Sequence, residues 1–446
     1  MTALPAQDSV SISDYDIIGT TRTSAEAIHS WLDLYPQRIA IADVDATLAA
    51  MATDLDRQPG ILGAQINISE WTIDQLQLEV DITEQIPFFI IPYLELADRN
   101  FNEWWTQYDR DLTRINLGVD LQLLQLTDRL DPLRLQLQVG FVDEIVMEYT
   151  LPFFKKKSPL GIEIETRLAR ADRIHHSTVD NRRVFSTLED ELVETWVHQR
   201  VGLTYRKRPR WTHRIDLGYQ SRAITSGSIA DFNPQYFRHP ATTQQYASLS
   251  YTIDYDSRDL RVYPSEGLRV QGAVAQMGLG LWGDISFTQL TSSIDKAKSW
   301  SRWRLYLRAA GQKTIAGKVD QVHNRALGYR QDIVRGYQQY VVDGEDYLYA
   351  KADMKYKLLS TSLTLGSLMP VRTWREMPIS LLIGPHIDTG AVRNRFSAEQ
   401  NDLAAELLIG YGLGIDIVLY ENFVFSLELS RNILGETGLF LGAPTY

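Results

Sequence analysis

The tetrapeptide Val334-Arg335-Gly336-Tyr337 sets one guanidinium inside the segment 331–350, whose first half shows no strand-like alternation. A guanidinium can grip an anion through two parallel hydrogen bonds, so Arg335 is a candidate for fastening an irregular segment. Other groups fail on context. The 446 residues include no cysteine, which excludes disulfides, thiolate metal sites and thiol nucleophiles. His175 and His176 are neighbours without an i,i+4 partner or clustered carboxylates, so no metal site is expected there. GLGLWG at 278–283 matches a dinucleotide fingerprint but opens no helix, and a tight turn is predicted instead. GYGLG at 410–414 alternates its glycines, the mark of close backbone approach or bending within a strand. With no serine elbow, P-loop or paired-carboxylate cleft, the chain reads as a non-enzyme without a cofactor.

The elements that must position Arg335 fall into two parts. Residues 1–86 carry 14 acids and three bases, whereas the remainder carries 42 of each, so a boundary is placed near residue 86. The acidic first part would repel phosphate backbones, and no nucleic-acid partner is expected. Its pattern is β-α-α-β-β. A strand at 9–18 precedes a helix with Ala25, Ile28 and Leu32 on one face behind a Ser24 cap. A second helix aligns Val44, Leu48, Met51 and Leu55, and a hairpin through 72–74 joins strands at 63–71 and 76–82. Three strands under two helices leave sheet edges that can accept an extended peptide, with 61–70 or 75–83 as the candidate edge. The opening MTALPAQDSV has no apolar core of signal-peptide length; the expectation is a protein that is not exported, or a chain that begins near a mature terminus.

From residue 87 onward, period-2 alternation dominates and helical patterns vanish. Ile115, Leu117, Val119, Leu121 and Leu123 alternate with Asn116, Gly118, Asp120 and Gln122; Lys351, Asp353, Lys355 and Lys357 alternate with Ala350, Ala352, Met354 and Tyr356. One face apolar and the other charged, in strands of about ten residues, suits a wall with lipid outside and water inside. A soluble sandwich alternates too, but its strands are usually shorter. Trp211, Trp282, Trp300 and Trp303 sit near strand ends, where interfacial aromatics belong. Short connections at 125–131, 207–210, 295–298 and 419–421 alternate with long ones at 171–192, 223–244, 312–345 and 390–404. The expectation is an all-β transmembrane barrel of about 16 antiparallel strands. It ends in a strand near 438–446, where Pro444 must sit at a position needing no ladder donor. Parity on the strand near 380 turns Ile379, Leu381, Ile383 and Ile387 outward, and His386 and Asp388 inward.

VRGY at 334–337, GPHIDTG at 384–390 and YDSRDLRVYPSEGLRV at 255–270, in that spacing, resemble the superfamily of BamA, the two-partner-secretion transporters and the Sam and Toc channels. YDIIGTTRTSAEAI near the start resembles the opening of a single POTRA domain. The resemblance implies a POTRA-like periplasmic domain at 1–86 and an outer-membrane barrel at 87–446. It further implies that the long loop 312–345 folds into the lumen, where Arg335, flanked by Gly336 and Tyr337, meets Asp388. Val334, His386 and Gly390 would surround that contact; the family usually has an aromatic residue where this chain has His386. Irregular backbone at membrane depth is tolerated only within protein or a water-lined cavity, which agrees with such a placement.

The function implied is assembly of outer-membrane β-barrel proteins, with strand capture by the first domain and a weak seam between the first strand (about 88–96) and the last. Pro87, Pro92 and Pro444 would remove ladder donors at that seam. Partners would be unfolded outer-membrane clients, outer-membrane lipids and accessory periplasmic or lipoprotein subunits. A pore exporting a dedicated passenger and a channel or scaffold without clients stand as alternatives.

Overall fold

The computed structural model describes residues 8–155, 158–187, 191–225, 229–237, 241–329, 332–366, 375–395, 401–420 and 423–442. The chain opens with β1 (Ser9–Ile18) and α1 (Ala25–Leu32), whose Ser24 hydroxyl accepts from the Ala27 amide. Then come β2 (Arg38–Ala40), α2 (Val44–Asp56), β3 (Ile61–Trp71) and β4 (Gln75–Glu84). Ile28 and Leu32 of α1 and Val44, Leu48, Met51 and Leu55 of α2 are buried against Leu76, Leu78, Val80 and Ile82 of β4. The sheet order is β2-β1-β4-β3, with β1 and β4 parallel. Two expectations change. The sheet has a fourth strand, β2, only three residues long and so too short to show alternation. The strand at 75–83 is no edge, because β4 is paired on both sides; the free edges are β2 and β3.

The rest of the chain builds a 16-stranded antiparallel barrel. Its strands begin with β5 (Phe88–Leu96), β6 (Ile115–Leu123), β7 (Leu133–Gly140), β8 (Val142–Leu151) and β9 (Leu160–Ala171). A hairpin of β10 (His175–Val179) and β11 (Arg182–Phe185) stands apart from the wall. The wall resumes with β12 (Val193–Arg208), β13 (Trp211–Thr225), β14 (Thr243–Asp256), β15 (Gly267–Met277), β16 (Phe287–Trp300) and β17 (Trp303–Gly317). After the short β18 (Arg325–Leu327) and β19 (Val342–Asp343) come β20 (Asp346–Thr364), β21 (Glu376–Arg393), β22 (Leu408–Leu419), β23 (Phe423–Asn432) and β24 (Thr437–Gly442). Leu217, Leu249, Ile387, Leu413 and Phe425 are exposed on the outside, while Asp216, Asp295, Asp388 and Asp416 are buried inside. This inside-out polarity is the arrangement of a wall between hydrocarbon and an aqueous interior. No helix among the described residues is long and apolar enough to cross a membrane.

The α+β domain sits at one end, called the near end, against the barrel's turns. The Ser24 amide donates to the Asp128 carbonyl at 2.9 Å, and Trp31 meets Phe153 edge-on at 4.9 Å. Leu130, from the turn after β6, is part of the domain's own core.

Several connections differ from expectation. Residues 295–298 are strand: Asp295 points inward, Lys296 and Lys298 lie on the outer wall near the rim, and the turn is Ser301–Arg302. Long lysine stems can lie along apolar surface while their ammonium groups reach water, so a strand there looked like a polar turn. β17 continues to Gly317, so the long loop begins at 318 and not 312. Short and long connections do not segregate strictly: the near end includes 257–266, and at the far end β7 and β8 are joined through Phe141 alone. Helices do not vanish either, since α3 (Phe101–Thr106) and α4 (Ile229–Phe232) lie in far-end loops. Pro444 and the last residues of the expected final strand lie outside the described residues.

Candidate functional site

The loop between β17 and β20 descends into the barrel and is fastened there by Arg335. Its guanidinium makes two forks. Nε donates to Asp388 Oδ2 at 2.9 Å and Nη2 to Asp388 Oδ1 at 2.5 Å; Nη1 and Nη2 donate to the two oxygens of Asp353 at 2.5 and 3.0 Å. The Arg335 amide also donates to Asp388 at 3.0 Å, and Glu428 stands 3.4 Å from Nη1. The carboxylates come from β20, β21 and β23, so one side chain ties the loop to three strands. Asp353 and Asp388 are almost wholly buried, at 2 % and 1 % exposure. Buried charges persist only when paired, and the guanidinium fork matches carboxylates geometrically.

Glycines make the room. On β22, a Cβ at Gly410 would overlap the Arg335 carbonyl oxygen, one at Gly412 would press on the His386 ring, and one at Gly414 on Lys355 Nζ. Gly410 therefore makes room for the loop tip, while Gly412 and Gly414 make room for wall side chains beside it. Gly336 adopts φ +91°, and its carbonyl accepts from Asn432 Nδ2 at 3.0 Å. Val334 fits into the space left by Gly390. Tyr337 is buried in an apolar cluster with Leu327, Val334, Tyr349 and Leu408. His386 is buried beside the clamp but pairs with Ser430 Oγ at 3.0 Å, and no hydrogen bond to Arg335 is seen among the described residues.

Three participants were not singled out from sequence. Asp353 and Glu428 were visible only as inward charges in alternating strands; nothing in the pattern says which of several such charges the loop reaches. The third is Tyr263, in the near-end turn 257–266. It enters the lumen from below, and its hydroxyl donates to Asp416 at 2.8 Å. Asp416 also pairs with Lys355 at 3.3 Å, and Arg304 stacks on the Tyr263 ring at 3.7 Å. The lumen is thus obstructed from both ends.

A second feature is the seam between β5 and β24. Each strand of the wall is paired with its chain neighbours, yet no pairing links β5 with β24 among the described residues. The Leu124 amide donates to the Pro87 carbonyl, and the Ala97 amide to the Arg114 carbonyl. In the alternating antiparallel ladder this directs odd-numbered backbone groups of β5 to β6 and turns those of Phe88, Ile90, Pro92 and Leu94 to the seam. Pro92 therefore lacks a donor on the open side. By the same reasoning, the Asn432–Glu436 bond turns Thr437, Leu439 and Leu441 of β24 to the seam. The Leu439 carbonyl is taken by Asn102 Nδ2 of α3. Helix α3 is itself held to the lumen loop through Asn100 Nδ2 to the Gln338 carbonyl at 2.6 Å and Arg99 Nη1 to the Gly328 and Tyr340 carbonyls.

Fold and site together define a membrane-spanning β-barrel with an arginine-clamped luminal loop, a seam without strand pairing among the described residues and one small domain at its near end. The Omp85 superfamily domain model matches residues 131–371, more than half of the chain, and the chain belongs to that superfamily. Solved structures agree in fold. BamA from Haemophilus ducreyi lacking POTRA domains 1–3 matches at TM-score 0.55 and 10 % identity, over 97 % of this chain and 83 % of that one. CdiB from Acinetobacter baumannii matches at TM-score 0.54 and 12 % identity, over 97 % and 72 % of the two chains. CdiB from Escherichia coli matches at TM-score 0.53 and 12 % identity, over 99 % and 90 %. No curated protein sequence matches the chain.

Proposed function

We propose that this protein assembles β-barrel proteins into the outer membrane, with the α+β domain serving as a POTRA-like periplasmic capture module. The observation that carries the reading is the seam. Unpaired backbone groups in hydrocarbon cost several kcal/mol each, so an edge that no strand pairs among the described residues is a ready template for an incoming strand. The free edge of β3 offers a second template at the near end, where a client segment can be held as an added strand before transfer. Membership of the Omp85 superfamily and the BamA-like fold support the same reading.

Export of a passenger through the lumen is the rival reading, favoured by the CdiB-like fold. It requires that the Arg335 clamp and the Tyr263 anchor both yield, because both occupy the conduit. Depletion followed by an outer-membrane protein inventory separates the two. Assembly predicts loss of several barrel proteins from the membrane. An unchanged inventory with loss of a single secreted protein would overturn the assembly reading.

A further inference from the structure

Where the α+β domain meets the near end of the barrel, the two enclose a cavity of about 550 Å³. Eight arginines and four carboxylates line it, and no lysine does, in a chain whose formal net charge is −11. Part of this charge is internally paired. Arg269 meets Asp254 at 3.1 Å, Arg258 meets Asp256 at 3.0 Å, Arg57 bridges Asp54 and Asp256 at 3.4 Å, and Arg214 reaches Glu163 at 3.4 Å. The carboxylates are then spent. Among the described residues, Arg208, Arg210 and Arg261 have no ion pair, and Arg206 has only Glu163 at 3.9 Å. Arg206 Nη1 is buried with no hydrogen-bond partner among the described residues. Arg261, in the turn 257–266, is exposed, with Arg57, Arg258, Arg269 and Asp256 as its charged neighbours.

We infer that this cavity is an anion site for a phosphate group, held by Arg206 and Arg261 and bridging the α+β domain to the barrel. That every cation lining it is a guanidinium is the argument for phosphate, since forked donors match its oxygens two at a time. The volume admits a phosphorylated headgroup or a free diphosphate. Position favours the headgroup as source. Arg208 and Trp211 also border a dent on the outer wall with Tyr205, Lys207 and His213, an aromatic and basic cluster of the kind found at membrane interfaces. Occupancy would relieve cation crowding exactly where the two domains touch, and so would tighten their docking. This inference does not depend on the assembly reading.

The test uses the full chain, by isothermal titration with sodium pyrophosphate in neutral detergent and by lipid retention in phosphatidylcholine nanodiscs with and without phosphatidylglycerol. Arg206→Gln/Arg261→Gln is compared with wild type and with Arg170→Gln, whose exposed pair with Asp172 lies at the far end. Saturable pyrophosphate binding, weakened about tenfold or more in the double variant and unchanged in Arg170→Gln, identifies a free-phosphate site. Enriched phosphatidylglycerol, lost in the double variant alone, identifies a headgroup site. If the double variant does not fold, Arg261→Gln alone replaces it, because Arg261 is on a turn outside the barrel wall. No saturable binding of either probe, or binding equal in wild type and variant, overturns the inference, even where the substitutions loosen the domain.

Discussion

Arg335→Ala removes the four guanidinium hydrogen bonds to Asp353 and Asp388 while leaving the backbone amide bond to Asp388 in place. Two nearly inaccessible carboxylates then face each other and Glu428 without their cation, with Lys351 and Lys355 as the nearest remaining positive charge. Breaking a buried ion pair by removing one partner costs about 3–5 kcal/mol. At 1.36 kcal/mol per decade, that shifts the docked-to-released equilibrium of the loop by roughly two to three and a half orders of magnitude. Packing of Val334 and Tyr337 persists, so the loop loosens locally while the barrel stays folded. Hydrogen exchange of peptides covering 332–345, in detergent, should accelerate by that factor, while peptides from β13 and β14 are unchanged. Arg335→Lys should fall between, because an ammonium cannot form two forks. Adding Asp353→Asn and Asp388→Asn to the alanine variant should recover part of the protection. Unchanged exchange in Arg335→Ala, or full protection in Arg335→Lys, would refute the clamp.

Other consequences follow from the same contacts. Gly410→Ala should release the loop as strongly as Arg335→Ala, seen as protease cleavage within 332–345, because the new Cβ would meet backbone oxygen and not a yielding side chain. Asn102→Ala should leave thermal stability within about 0.5 kcal/mol, as for a surface substitution, yet speed amide exchange in β24. Glu84, at the end of β4, gives a pH test. Burial alone would raise its pKa, but hydrogen bonds from the Thr21 hydroxyl and the Arg22 and Thr23 amides bring it down from 4.5 to about 2. A depressed folded-state pKa contributes stability that is complete above the unfolded value and is lost as pH falls through the folded one. Protection of residues 19–24 should therefore weaken between pH 4.5 and 2, and Glu84→Gln should abolish that dependence.

The wall was legible in the sequence because lipid and lumen impose opposite polarity on alternate residues, so Leu117 against Asn116 or Ala352 against Asp353 reads directly as outside against inside. Strand ends were less legible where polar residues lie on the outer rim, as Lys296 and Lys298 show. Helix α3 carries a signal in its cap: Asn100 caps the Glu103 amide at 2.9 Å, and Glu103 reaches back to Arg99, a cap-and-return pattern. Six residues give too little periodicity to reveal such a helix otherwise. The partners of Arg335 divide similarly. Asp388 came from family resemblance and parity together. Asp353 lies opposite His386, one strand away, a neighbour relation set by the β20–β21 register that no local pattern encodes.

The most direct test of the assembly account is a disulfide across the seam. The chain has no cysteine of its own, so a pair placed on the facing edges of β5 and β24 forms the sole crosslink. In reconstituted liposomes, insertion of an unfolded barrel client, followed by its heat-modifiable folding, should cease on oxidation and return on reduction. Full insertion activity with the seam covalently shut would contradict the account.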